Sequence, residues 1–233
     1  MIFLVCESST LLGSVAIYQD SKLLAYRESL RQGSHTNVIN LYVAEVLKEA
    51  NLNLADVQLF VSGIGPGSFT GIRISLNLIK AFAYCHNKPV LGLNSLENLA
   101  SQVEVSSLPI VCMINAFKNM VYIATYSNSS GVLTVIKEPE VLRVQSLKDY
   151  IHTDCLAVGD GFLAYNSYLP VATQKLLTRS KDPNDDPKAS AAGQLVLDKY
   201  PGKATHWSNF LPLYLRASEA EEVKQGIKFQ PLD

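Results

Sequence analysis

Val57-Gln58-Leu59-Phe60-Val61-Ser62-Gly63-Ile64-Gly65-Pro66-Gly67-Ser68-Phe69-Thr70-Gly71 is the stretch on which the reading of this chain turns. Val57–Ser62 has the continuous apolar character of a buried strand. A glycine-rich loop follows, and from Ile72 to His86 apolar residues return at helical spacing. A buried strand that runs through a glycine loop into a helix fits an α/β fold.

Working back from this stretch, Ile2–Cys6 and Gly13–Tyr18 read as strands, and Leu23–Ser29 as a third after a turn at Gln19–Lys22. Val38, Ile39, Tyr42, Val46, Leu47 and Ala50 then recur at helical spacing behind a Ser34/Thr36 cap candidate. Working forward, Pro89–Leu91 reads as a strand and Asn94–Val103 as a short helix. The second half shows strands at Leu108–Ile114, Met120–Tyr126 and Val132–Lys137, and a brief helix at Leu147–Ile151. A strand at Leu156–Val158 ends in Gly159-Asp160-Gly161, Ser180–Lys188 is a polar loop, and Ala189–Leu197 is a helix. The order βββαβα therefore recurs at an offset of roughly a hundred residues. Two ribonuclease-H-like units in tandem make an α/β actin-like (ASKHA) fold. The expected domains are residues 1–103 and residues 104–233, with the boundary inside Ser101–Ser107.

The chain has 233 residues and a formal net charge of -1, with no run of Lys or Arg. That balance argues against a stand-alone nucleic-acid binder. Of the cysteines, Cys6, Cys112 and Cys155 lie in or beside apolar runs and are expected as buried thiols, and no CxxC pair exists. The opening MIFLVCESST lacks a basic segment, and no apolar stretch reaches bilayer length, so the expected location is cytoplasmic.

The glycine loop admits two readings. Gly65, Gly67, Ser68, Thr70 and Gly71 could bring backbone N–H groups and a helix N-terminus against a phosphate. Equally, Gly65-Pro66-Gly67 could make a tight turn and Gly71 allow close packing. No Lys stands in P-loop spacing, and Ser68 is not in a G-x-S-x-G elbow. In actin-like kinases an acidic residue closes the first strand of each unit and helps to hold Mg²⁺. Glu7 and Asn115 occupy those places here. Asn115 is neutral, so a two-carboxylate site is degraded, and Glu7 reads as a surface carboxylate at a strand end. His35, His86, His152 and His206 form no i, i+4 pair, so no metal site is expected. His35 reads as lying near a helix start, and His86 as closing a helix where a positive charge suits the dipole.

The helix Ile72–His86 is apolar all round, with only Arg73 and Lys80 charged before His86. Such a helix is buried on every side, by its own domain or by another protein. The preceding helix shares the bias, with Leu41 and Val43 off its main apolar face.

Gly63–Ile74 resembles the signature of the TsaB family of tRNA threonylcarbamoyladenosine proteins. Phe3–Ala16, His35-Thr36, Pro89–Leu99, Asn115–Tyr126, Val158–Gly161 and Leu213–Arg216 are similar to further family landmarks, so the resemblance covers nearly the whole chain. It implies a non-catalytic scaffold subunit without cofactor. That subunit pairs with the catalytic paralogue TsaD through its first two helices and cooperates with the small ATPase TsaE, reaching tRNA indirectly. The paralogue's metal-binding HxxxH pair has no counterpart in Asn94–Ala100. The expected partner-binding residues are Val38, Ile39, Tyr42, Val46, Ile72, Leu76, Ile79 and Phe82. Alone, a self-complementary patch of this kind favours a homodimer. The sequence departs from the family pattern at Glu7, where Asp is usual, and at Asn115-Ala116-Phe117, where Asp-Ala-Arg is common. Ser75 and Asn77 stand where relatives often have glycine. The alternative readings are an ATP-dependent kinase on the same fold and a metallopeptidase-like enzyme.

Overall fold

A computed structural model describes residues 1–30, 35–180, 185–217, 221 and 224. Its first sheet is organised around β1 (Ile2–Glu7), which is buried on both faces from Phe3 to Glu7. β2 (Leu12–Gln19) and β3 (Lys22–Leu30) extend β1 as an antiparallel meander, with Asp20 in the left-handed turn between them. On the other side β4 (Leu59–Gly65) and β5 (Val90–Asn94) run parallel to β1, giving the order β3-β2-β1-β4-β5. Helices α1 (His35–Glu49), α2 (Phe69–His86) and α3 (Ser95–Ser101) complete this layer. Ile39, Val43 and Val46 of α1 and Leu76, Ile79 and Ala83 of α2 share one core with Leu4, Ile17 and Phe60 of the sheet. Ser34 lies outside the described residues, as do the side chains of His35 and Thr36.

The second sheet repeats the plan. β6 (Ser106–Asn115), β7 (Met120–Asn128) and β8 (Thr134–Arg143) form the meander, and β9 (Cys155–Val158) and β10 (Leu177–Arg179) run parallel to β6. The order β8-β7-β6-β9-β10 matches the first sheet, strand for strand. Val111, Met113, Val121, Ile123, Leu147, Ala157 and Phe162 build its core. The units differ where α1 would recur. The brief helix expected over Leu147–Ile151 is a 3₁₀ segment, Val144–Asp149. Residues 144–154 are all that join β8 to β9, too short a connection for a helix of α1's length with its loops. Two short helices, α4 (Asp160–Tyr165) and α5 (Val171–Leu176), were not foreseen as elements.

The domain division also differs from the contiguous halves expected at 103/104. The first compact unit comprises Met1–Asn98 together with Pro187–Leu213, and the second takes Leu99–Asp186 and the chain from Tyr214. The helix expected over Ala189–Leu197 is a 3₁₀ turn, Ala189–Ala191, followed by α6 (Gly193–Lys199). It packs on β2: Ala189, Ala192 and Val196 are fully buried, and Gly193 lies against the Tyr18 ring. The Ala189 N–H donates to Ser14 Oγ at 3.0 Å, and the Tyr18 hydroxyl donates to the Ser190 carbonyl at 2.6 Å. Tyr18 stacks on Phe3 with ring centroids 4.9 Å apart. Among the described residues, no helix is long and apolar enough to cross a membrane.

Tyr18→Phe keeps the ring stack and removes the tie to the returning segment. The expected loss is about 1–2 kcal/mol of unfolding free energy, read by urea denaturation. An unchanged midpoint would show that the hydroxyl does not hold the segment.

Candidate functional site

The glycine loop connects β4 to α2 and lies against the chain just after β1. The Ser68 N–H donates to the Ser9 carbonyl at 2.6 Å. Ser68 Oγ caps α2 by accepting the Gly71 N–H at 3.3 Å, and Ser8 Oγ donates to the Gly71 carbonyl at 2.8 Å. A Cβ at Gly67 would fall on the Ser9 carbonyl, and one at Gly71 on the Ser8 carbonyl. Gly65 has φ +99° and no room for a side chain beside Ile72. The donors at Ser68 and Gly71 are thus already engaged, which favours the packing reading of the loop over the phosphate cradle. Thr70 is exposed and lines a groove with Asn40, Arg73, Ile74, Asn77 and Leu78 on the outer side of α1 and α2.

Glu7 is not the surface carboxylate expected. It is 1% exposed, accepts the Ser9 N–H at 2.8 Å and the Ser95 hydroxyl at 3.3 Å, and fills the space beside Gly63. Burial raises its pKa above the ordinary range, against hydrogen bonds from Ser9, Ser95 and Ser8 that favour the anion. In the second unit, Asn115 Oδ1 accepts the Phe117 N–H at 2.8 Å and the Tyr165 hydroxyl at 3.1 Å. The Asn115 N–H in turn donates to Asp160 Oδ1 at 2.8 Å. Burial pushes the Asp160 carboxyl up to about 6, opposed by that N–H and reinforced by Asp186. The sequence placed Asp160 beside two glycines but assigned it no role.

The residues expected to bind a partner divide sharply. Ile39, Val46, Ile72, Leu76 and Ile79 are core residues with no surface to offer. Val43, expected off the apolar face of α1, is core as well. The reason is the width of the sheet-facing stripe, which a 3.6-residue period spreads over more of each helix than a strict seam. Val38, Tyr42 and Phe82 remain half-buried. Outward positions include Leu41 and Ala44 on α1, and Arg73, Asn77, Ala81 and Tyr84 on α2. Of these, the sequence singled out only Leu41 as an apolar residue off the core stripe. Ala81 and Tyr84 have no signal of their own and are found only by phasing α2 against its buried residues. Cys6, Cys112 and Cys155 are buried, Cys85 is exposed, and all four are free thiols.

By the resemblance, the stretch that corresponds to the paralogue's metal ligands is α3 with its preceding residue. Leu96, Leu99 and Ala100 are fully buried. Ser95 bonds Glu7, Glu97 pairs with Lys199 at 2.9 Å, and the Asn98 side chain bonds both the N–H and the carbonyl of Lys188. No group of three or more His, Cys, Asp or Glu side chains suited to a metal occurs among the described residues. His86 closes α2 as expected, beside Phe60.

Two units of this topology, the first with a glycine loop of this geometry between β4 and α2, define an actin-like protein. The model of the family described as "TsaD: tRNA N6-adenosine threonylcarbamoyltransferase" matches residues 29–222. The Escherichia coli protein named tRNA threonylcarbamoyladenosine biosynthesis protein TsaB is 27% identical over 71% of this chain and 74% of its own length. The Bacillus subtilis protein of the same name is 24% identical over 95% of this chain and 96% of its own. A Pseudomonas aeruginosa structure, described as an uncharacterized protein with similarity to peptidase YeaZ, is 25% identical. It covers 92% of this chain and 99% of that chain, with a TM-score of 0.79. The chain belongs to the TsaD family defined by that model and, within it, to the TsaB proteins.

The raised Asp160 carboxyl sets the sign of a pH effect. Between about 4 and about 6 the folded chain holds a proton that the unfolded chain has released, so its contribution to stability is lost as pH rises through that window. Asp160→Asn should flatten the fall in thermal stability over that range by up to about 3 kcal/mol, since each pKa unit corresponds to ~1.4 kcal/mol. Superimposable pH profiles for the two proteins would refute it. Gly71→Ala, which puts a methyl group on the Ser8 carbonyl, should lower stability by about 2–4 kcal/mol in the same assay. A wild-type melting temperature would show that the loop relaxes freely.

Proposed function

We propose that this chain is a non-catalytic scaffold subunit of tRNA threonylcarbamoyladenosine biosynthesis. It pairs with a TsaD-like threonylcarbamoyltransferase and supports assembly with a TsaE-like ATPase. The observation that carries the reading is the use made of α3. By the resemblance, the catalytic paralogue keeps its HxxxH metal ligands in the stretch corresponding to Asn94–Ala100. Here Ser95, Glu97 and Asn98 are bonded within the first unit and the apolar residues are core. Glu7 supports the same reading against a kinase: its carboxylate is buried and bonded to Ser9 and Ser95, a poor arrangement for a hydrated Mg²⁺.

The partner meets the outward face of α1 and α2, where Leu41, Ala44, Ala81 and Tyr84 present small and apolar side chains around the Arg73–Asn77 groove. Without the partner, the same face is the candidate for a homodimer. A stable contact needs about 800 Å² from each side.

Sedimentation of the purified chain with its cognate TsaD-like protein tests the reading. A stable mixed dimer that displaces any homodimer is expected. Ala81→Glu should weaken it by about 30-fold or more while leaving the melting temperature in place. Ile79→Ala should do the reverse, lowering stability by about 2–5 kcal/mol with the contact surface intact. If the two proteins ignore each other at micromolar concentration, the scaffold reading is lost.

A further inference from the structure

In the first unit α1 covers one face of the β1–β3 meander, with Ile39, Val43 and Val46 packed among Leu4, Val15 and Ile17. The corresponding connection of the second unit is shorter and supplies Val144, Leu147, Tyr150 and Ile151 to the core. Between this segment and the sheet lies a pocket of about 220 Å³. Its floor is one row of the sheet: Val111 pairs with Thr125, and Thr125 with Lys137, so the three share a face. β8 then carries an extra residue, Ile136, between Lys137 opposite Thr125 and Val135 opposite Tyr126. That bulge brings Ile136 and Lys137, neighbours in sequence, to the same pocket.

Two polar features stand in these apolar walls. Lys137 Nζ is fixed by two contacts: it donates to the Tyr150 carbonyl at 2.6 Å and lies 3.9 Å from the centroid of the Tyr150 ring. An ammonium has three N–H groups, and the carbonyl takes one. Glu140 acts on Tyr150 and Asp154 on Cys155, yet no carboxylate among the described residues pairs with Lys137. Thr125 Oγ1 and the Tyr150 hydroxyl, on side chains of residues only 5% and 8% exposed, lie 3.0 Å apart. One of their two hydrogens makes that bond, and among the described residues the other has no acceptor. Burial pushes the Tyr150 hydroxyl up to about 12, so it keeps its hydrogen.

We propose that this pocket binds a small carboxylate with an apolar body, of the size of benzoate. A half-buried cation without a counter-ion favours an anion, and a charge-assisted bond to it is the strong kind. The Tyr150 hydroxyl is carried by the same ring that Lys137 covers, so one carboxylate can reach both. The apolar body lies against Val111, Ile136 and Ile151. A dry cavity of about 150 Å³ holds benzene, so the volume here has room for a ring and its carboxylate. It has none for the broad face that a folded partner needs.

The test uses the full chain with sodium benzoate, and benzyl alcohol as a neutral molecule of the same shape. Binding is followed by shifts of the protein's amide NMR signals. Benzoate should saturate with a Kd of about 0.1–1 mM, the range open to a ligand of this size, and benzyl alcohol should bind about ten-fold more weakly. Lys137→Met keeps the length of the side chain and removes its charge. It should weaken benzoate about ten-fold or more and leave benzyl alcohol unchanged. Ile136→Trp, at a position 51% exposed, fills the pocket and should abolish binding of both. Thermal melts check that each variant folds, and the second tests the site with Lys137 in place. No saturable binding of benzoate, benzyl alcohol binding as tightly as benzoate, or full benzoate affinity in either folded variant would each overturn the proposal.

Discussion

The backbone of the glycine loop touches the backbone that follows β1, and the first unit is arranged around that contact. Ser68 donates to Ser9 and Ser8 donates to Gly71, at separations that no Cβ at Gly67 or Gly71 would allow. The contact fixes where α2 begins and which of its faces meets the sheet. Once Ser68 caps the helix, Ile72, Leu76, Ile79 and Ala83 fall inward at spacings of three and four residues, and Ala81 and Tyr84 fall outward. The outward face of the helix therefore follows from the packing of its first turn.

The second unit meets the same constraint with different residues. A Cβ at Gly159 would fall on the Met113 carbonyl, and Gly161 is hemmed in by the backbone of residues 113–115. Again a glycine pair lets the start of a helix approach the end of the unit's first strand. The polar group that fills the junction has changed its place in the chain. In the first unit it is Glu7, at the end of β1, bonded to Ser9 and Ser95. In the second it is Asp160, at the start of α4, bonded to the Asn115 N–H. Both carboxyls are pushed up by burial, so both oppose folding more strongly as they ionise.

What the sequence disclosed and what it withheld follow from the range of the interactions involved. The meander of β1–β3, the parallel strand β4 and helix α2 were legible because each rests on local period and turn chemistry. The recurrence of the plan was legible for the same reason. The burial of Glu7 was not, because Ser95, which bonds it, lies far along the chain. Nor was the return of Pro187–Leu213 to the first unit, which depends on Tyr18 and Ser14 meeting residues more than a hundred and seventy positions away. The partner-facing residues were half legible. An all-round apolar pattern on α2 identified a helix covered on several sides, but only the position of the sheet decides which side is the core.

The unequal connections of the two units bear on how the chain divides its work. Where the first unit inserts α1 between its third and fourth strands, the second has only the 3₁₀ segment Val144–Asp149. A pair of long helices side by side, with a groove along their outer surface, is thus available in the first unit, and among the described residues of the second no helix stands in the place of α1. The second unit offers instead a strained hairpin tip whose bonds fix its backbone and leave one aromatic ring outside. A helical face buries broad apolar area and suits a folded protein. The same strand plan occurs twice, and the length of one connection makes the surfaces of the two units differ.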